Sequence, residues 1–153
     1  MKIKKIILIL MMFVTTGCGY QAIYATNDKI NYSISEIIET GDKKVNRKIK
    51  SKINLKKKDS LTKYILIINS KKNNEVVGKD GSGNTIVNKI SIEVNVILTD
   101  SSDTSLIIKE KNFEASFTYN NTGSKFELAQ YISIRETNLI DQIQEDIMFF
   151  LNS

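Results

Sequence analysis

Histidine, proline and tryptophan are absent from the 153 residues, and cysteine occurs once, as Cys18. Each absence closes a class of chemistry. Without histidine, no Ser-His or Cys-His nucleophile pair can be built. A structural zinc site lacks its imidazoles and all but one thiolate. One cysteine rules out a disulfide framework within the chain. A metal site or an acid/base pair made of carboxylates alone stays open, but no pair of acids is spaced so as to demand an enzymatic reading. A bilayer-spanning helix needs ~20 apolar residues, and the run at 6–14 supplies nine.

That short run has a different meaning. Residues 1–5 carry three lysines, 6–14 are apolar, and Thr15-Thr16-Gly17-Cys18 follows. A positive start, a short apolar core and small residues are the parts of a secretory leader. The stretch resembles the bacterial lipoprotein signal, Leu-(Ala/Ser/Thr)-(Gly/Ala)-Cys, with Thr15 in place of the usual Leu. Such a signal implies a diacylglycerol on the Cys18 thiol, cleavage before Cys18 and acylation of the new amino terminus. Two or three acyl chains hold a protein stably on a membrane, whereas one does not. The competing reading is a secreted protein cut elsewhere, with Cys18 discarded or buried. By resemblance to the sorting rule of enteric bacteria, Gly19 after the cysteine points to the outer membrane. The chain therefore divides into a leader at 1–17, a lipidated tether at 18–28 and one domain at 29–153.

The formal charge of +5 overstates the mature protein. The 22 basic residues less Lys2, Lys4 and Lys5 of the leader leave 19 against 17 acidic ones. An exported protein does not meet nucleic acid, so none is expected as a partner. The basic residues concentrate at 43–58, which holds nine Lys/Arg and no acid. That block suits a solvated helix face or an anionic partner such as a phosphate headgroup. Glu136, Asp141, Glu145 and Asp146 near the carboxyl end are intramolecular partners of the right sign.

Periodicity organises the rest. Residues 29–39 alternate, with Ile30, Tyr32, Ile34 and Ile38 on one side, as in a strand. "TGD" at 40–42 is a turn with Asp42 as a helix cap. In 43–58, Val45, Ile49 and Ile53 make a helical stripe, although Ile49, Ile53 and Leu55 also share strand parity; the segment is read as a helix. "YILII" at 64–68 is a strand apolar on both faces. Residues 86–98 place Ile86, Ile90, Ile92, Val94, Val96 and Leu98 on one face of a long strand. Residues 106–119 do the same with Phe113, Ala115, Phe117 and Tyr119. The stretches 71–84 and 100–103 read as hairpin loops. Asp80, Ser82 and Asn84 alternate like the start of a calcium loop, but the later glycine and glutamate are missing. Nor does Gly-Lys-Ser/Thr follow to make a phosphate loop, so a plain hairpin tip is the better account. Ser124 and Glu127 have capping-box spacing, and Leu128, Ile132, Leu139, Ile143, Ile147 and Phe150 recur at helical spacing. The expected fold is α+β: a two-layer sandwich with a four-stranded, mainly antiparallel sheet and two helices, in the order strand-helix-strand-strand-strand-helix.

"CGYQAIY" at 18–24 is similar to the Cys-Gly-(Tyr/Phe)-(Gln/Arg)-Pro-(Leu/Ile)-Tyr opening of the LPS-assembly lipoprotein LptE family, with Ala22 where the family has Pro. The order of elements matches that family through nearly all of the mature chain. The resemblance implies a plug in the lumen of the outer-membrane barrel LptD. Such a plug supports assembly of the barrel and contacts lipopolysaccharide, with no catalysis and no cofactor or metal. Lys71, Lys72, Lys79 and Lys89, in or beside the loop between the second and third strands, are the candidates for meeting lipid phosphates. The rival is a periplasm-facing structural or scaffold lipoprotein with no role in lipid transport; a lipid-anchored enzyme using carboxylates alone is a third possibility.

Overall fold

The computed structural model describes residues 32–53 and 62–153. The leader, Cys18 and the tether lie outside those residues. The described elements are β1 (Ile34–Gly41), α1 (Lys43–Lys52), β2 (Tyr64–Lys79), β3 (Thr85–Asp100), β4 (Ile107–Asn120) and α2 (Lys125–Asn152). They form one sheet in the order β1-β2-β3-β4. β1 runs parallel to β2, and the other pairs are antiparallel. A parallel pair needs a crossover connection, and α1 lies within it. The α+β order expected from the sequence is the one observed.

The core lies between the two helices and one face of the sheet. Ile92, Val94, Val96 and Leu98 of β3, Leu66 and Ile68 of β2 and Phe113 and Ala115 of β4 meet Val45 and Ile49 of α1. Ile140, Ile143, Ile147 and Leu151 of α2 complete that cluster. The period-2 alternation of β3 sends its even residues into this layer, and no described element covers the opposite face of the sheet.

Four differences from the sequence reading have physical causes. In β1 the register shifts between Ile34 and Glu36. The inserted residue, Ser35, reverses the parity that follows. Ile34 stays in the core and Ile37 packs beside it, whereas Ile38 is 41% exposed.

β2 does not end at Ile68 but continues to Lys79, so most of the expected loop is strand. Its polar half is held by pairing with β3, where Lys71 faces Glu93 and Glu75 faces Lys89. Opposite charges directly across a ladder stabilise it by ~0.2–1 kcal/mol per pair.

α1 stops at Lys52, and Ile53 leaves the helix in an extended conformation yet stays buried. The remainder of the expected helix, 54–58, lies outside the described residues.

In α2 the buried stripe is Glu136, Ile140, Ile143, Gln144, Ile147 and Leu151. Leu139 and Phe150 flank it, because Glu136 and Gln144 take core-side positions to meet Lys44, Lys72 and the backbone carbonyls of α1. Ser124 occupies the N-cap, but its side chain makes no capping hydrogen bond, so the expected capping box is not closed.

Candidate functional site

The end of β1 sets the position of α1. Gly41 has φ +93°, and a Cβ there would lie 1.7 Å from the Ser70 carbonyl oxygen. Only glycine fits where these two backbones meet. Asp42 then donates its N–H to Ser70 O at 3.1 Å, and the Ser70 hydroxyl donates to Asp42 O at 3.2 Å. The Asp42 carboxylate accepts from the N–H groups of Lys44 and Val45 at 2.9 and 3.0 Å. It is the N-cap the sequence indicated, and it satisfies donors that the first turn would otherwise leave unpaired.

α1 therefore starts at a fixed point, with Lys44 and Lys48 directed at α2. Lys44 and Lys72 both donate to the Glu136 carboxylate, at 3.0 and 2.9 Å, joining α1, β2 and α2 at one buried acid. Burial pushes the Glu136 pKa up, but hydrogen bonds and charge from Lys72 and Lys44 outweigh it. The group is held below the ordinary glutamate value. Lys48 pairs with Asp141 at 2.9 Å and donates to the Thr137 carbonyl at 3.2 Å. Gln144, buried among isoleucines, donates to the carbonyls of Lys48 and Ile49 at 3.0 and 3.3 Å. At the far side of α1, Lys50 pairs with Glu39 at 3.0 Å. Lys44, Lys48 and Lys50 of the basic block are thus paired within the domain. Of the four acids the sequence offered as partners, Glu136 and Asp141 hold its lysines.

The candidate lysines Lys71, Lys72, Lys79 and Lys89 do not converge. Lys71 and Lys89 project from the uncovered face of the sheet, opposite Glu93 and Glu75. Lys72 points to the helix side, into the Glu136 node. Lys79 sits at the hairpin tip, which is a tight turn and nothing longer. There the Asp80 carboxylate accepts from the Asn84 side chain and from the backbone N–H groups of Asn84 and Ser82. The Asn84 side chain is the main cause of a lowered Asp80 pKa. The alternating Asp80, Ser82 and Asn84 are turn-forming groups directed at one another.

The uncovered face is polar along its middle. Asn95 donates to Glu110 and Asn112 at 3.1 and 2.6 Å, and Asn73 donates to Glu93 at 3.1 Å. Exposed large apolar side chains lie along α2, at Phe126, Tyr131, Ile134 and Phe149, at Ile38 of β1, and at the two ends of the long strands. At the hairpin tip are Val76, Val77 and Ile86; at the other end are Leu106, Ile107 and Ile108. Among the described residues, no group of three or more Cys, Asp and Glu is placed to hold a metal ion, and no helix is long and apolar enough to cross a membrane.

No protein-family model and no curated protein sequence matches the chain. Solved structures do match. The domain is similar to the rare lipoprotein B of Shewanella oneidensis, with a TM-score of 0.54 and 9% identity, over 74% of this chain and 90% of that one. It is also similar to a putative lipoprotein of Caulobacter crescentus CB15, with a TM-score of 0.51 and 11% identity, over 78% and 88% of the two chains. At such identities the likeness is one of fold. The β-α-β-β-β-α arrangement built by this sequence is one that these two proteins also adopt.

Proposed function

We propose that the mature protein is an outer-membrane lipoprotein, anchored by acyl chains on Cys18, that associates with an LptD-type barrel and assists lipopolysaccharide assembly. It acts by binding and catalyses nothing. One observation carries this reading. A lipobox-like cysteine opening "CGYQAIY" stands before a domain whose fold is shared with a rare lipoprotein B and a putative lipoprotein. The internal use of α1's lysines supports a rigid body in which the two helices are clamped over the sheet. That leaves the long hairpin and the uncovered sheet face as the surfaces offered to a partner.

An epitope-tagged copy expressed in its own host should bring LptD down with it, and depletion should lower surface lipopolysaccharide and leave the barrel misassembled. A pull-down without LptD would sink the assignment. Contact with lipid phosphates is tested at Lys71, Lys79 and Lys89, whose replacement by Ser should weaken lipopolysaccharide binding. Lys72 requires a separate variant, since its loss also removes a partner from buried Glu136.

A further inference from the structure

Tyr32 and Ser33 pack at one end of the sheet. The Tyr64 N–H donates to Ser33 O at 2.9 Å, and the Ser101 N–H donates to Lys63 O at 3.0 Å. Tyr32 packs edge-on against Tyr64 at 5.1 Å, and the Lys109 ammonium lies over the rings of Tyr32 and Phe150. The chain thus enters at the end of the sheet where β2 starts, β3 ends and β4 starts.

That same end carries three consecutive large aliphatic side chains in water. Leu106, Ile107 and Ile108 are 52%, 51% and 38% exposed. Phe149, in the last turn of α2, is 70% exposed. Exposed clusters of this kind in a soluble domain mark a contact surface. Charge does not select the partner: Lys63, Lys109 and Lys111 are balanced by Asp100, Asp103 and Glu110.

The occupant follows from the tether. Cys18 precedes Tyr32 by 14 positions, a difference read directly from the numbering. Fully extended, that length reaches at most ~50 Å. It is attached at this end of the domain, whereas the hairpin tip lies a further strand length away, ~50 Å for the sixteen residues of β3. A tether makes the docking of its own end effectively intramolecular, at a local concentration in the millimolar range.

We infer that Leu106, Ile107 and Ile108 dock on the bilayer that holds the Cys18 acyl chains, so that this end of the domain lies against the membrane. The inference rests on the acylation of Cys18 stated above, but not on LptD. Docking is apolar, so it requires no anionic lipid and withstands salt.

The absence of tryptophan gives a clean test. Ile107→Trp, Leu106→Trp and Val76→Trp each place one indole at an exposed site, and circular dichroism checks their folding. Each full-length acylated protein is reconstituted in phosphatidylcholine vesicles with and without bromine-labelled acyl chains. The emission of Ile107→Trp and Leu106→Trp should shift to the blue and be lost to bromine quenching, unchanged in high salt, while Val76→Trp is unaffected. Vesicle-bound protein with unquenched Ile107→Trp and Leu106→Trp overturns the proposal, as does equal quenching of all three. A blue shift without quenching overturns it too, since this end would then be covered by a second copy. Failure to float with vesicles overturns the anchor itself and the docking with it. The LptD pull-down is scored independently of all these outcomes.

Discussion

Substituting Gly41 by Ala should be among the most damaging single-methyl changes in the domain. Its φ of +93° is a conformation that a β-carbon disfavours, at a cost of about 1–2 kcal/mol. The larger cost is steric. The added Cβ would stand 1.7 Å from the Ser70 carbonyl oxygen and 2.8 Å from its carbon, and neither is the movable end of a side chain. Relief requires β1 to draw away from β2. That movement breaks the Asp42 N–H bond to Ser70 O and the Ser70 hydroxyl bond to Asp42 O, at ~1 kcal/mol each. The sum is about 3–4 kcal/mol, a large part of the ~5–15 kcal/mol of a typical domain. Gly83→Ala is the control. Its φ is +84°, but no atom lies within 4 Å of the added carbon, so only the ~1–2 kcal/mol of strain applies. Urea denaturation reads both as shifts in midpoint at constant slope. Equal shifts for the two variants would refute the close approach of β1 to β2.

The other predictions concern the core, the buried acid and the hairpin. Ile147→Ala, at a side chain with no exposure, should cost ~2–5 kcal/mol in thermal or chemical denaturation. Glu136→Gln should destabilise by about 1–3 kcal/mol, since it removes the charge shared by Lys44 and Lys72. Because the folded Glu136 pKa lies below its unfolded value of about 4.3, its stabilisation is complete above that pH. It is lost as the pH falls through the folded pKa. Denaturation midpoints measured over a pH series should therefore decline less steeply in Glu136→Gln than in the parent below about pH 4.3. Glu75→Lys alone should weaken the hairpin by ~0.2–1 kcal/mol, and adding Lys89→Glu should restore it; a pair that fails to rescue would show the cross-strand charges to be uncoupled.

The order and class of the elements were legible because β3, β4 and α2 carry long periodic patterns that no other arrangement can bury. Val45 and Ile49 also announced the face of α1, and Asp42 its start. What escaped was set by contacts distant in sequence. The polar half of β2 has poor local strand propensity and is a strand because β3 lies beside it. Ser35 reverses the phase of β1 without any local mark. Gln144 and Glu136 interrupt an apolar stripe that is easily drawn along its isoleucines, and only the approach of α1 shows why polar groups belong there. The candidate lysines were chosen as a loop cluster; once that loop proved to be a strand, alternation had to distribute Lys71 and Lys72 to opposite faces.

β1 pairs with β2 only as far as Ser70, so among the described residues nothing is hydrogen-bonded to the same side of β2 from 71 to 79. A long open edge invites a second molecule to add a strand, and proteins guard such edges with lysines and bulges. This edge has both: Lys71, Lys72 and Lys79 along it, and an irregular register between Val76 and Lys79. Lys71 and Lys79 thus also guard this edge against strand addition by a second molecule. Variants lacking them should be scored for self-association before any loss of lipid binding is assigned to a missing contact.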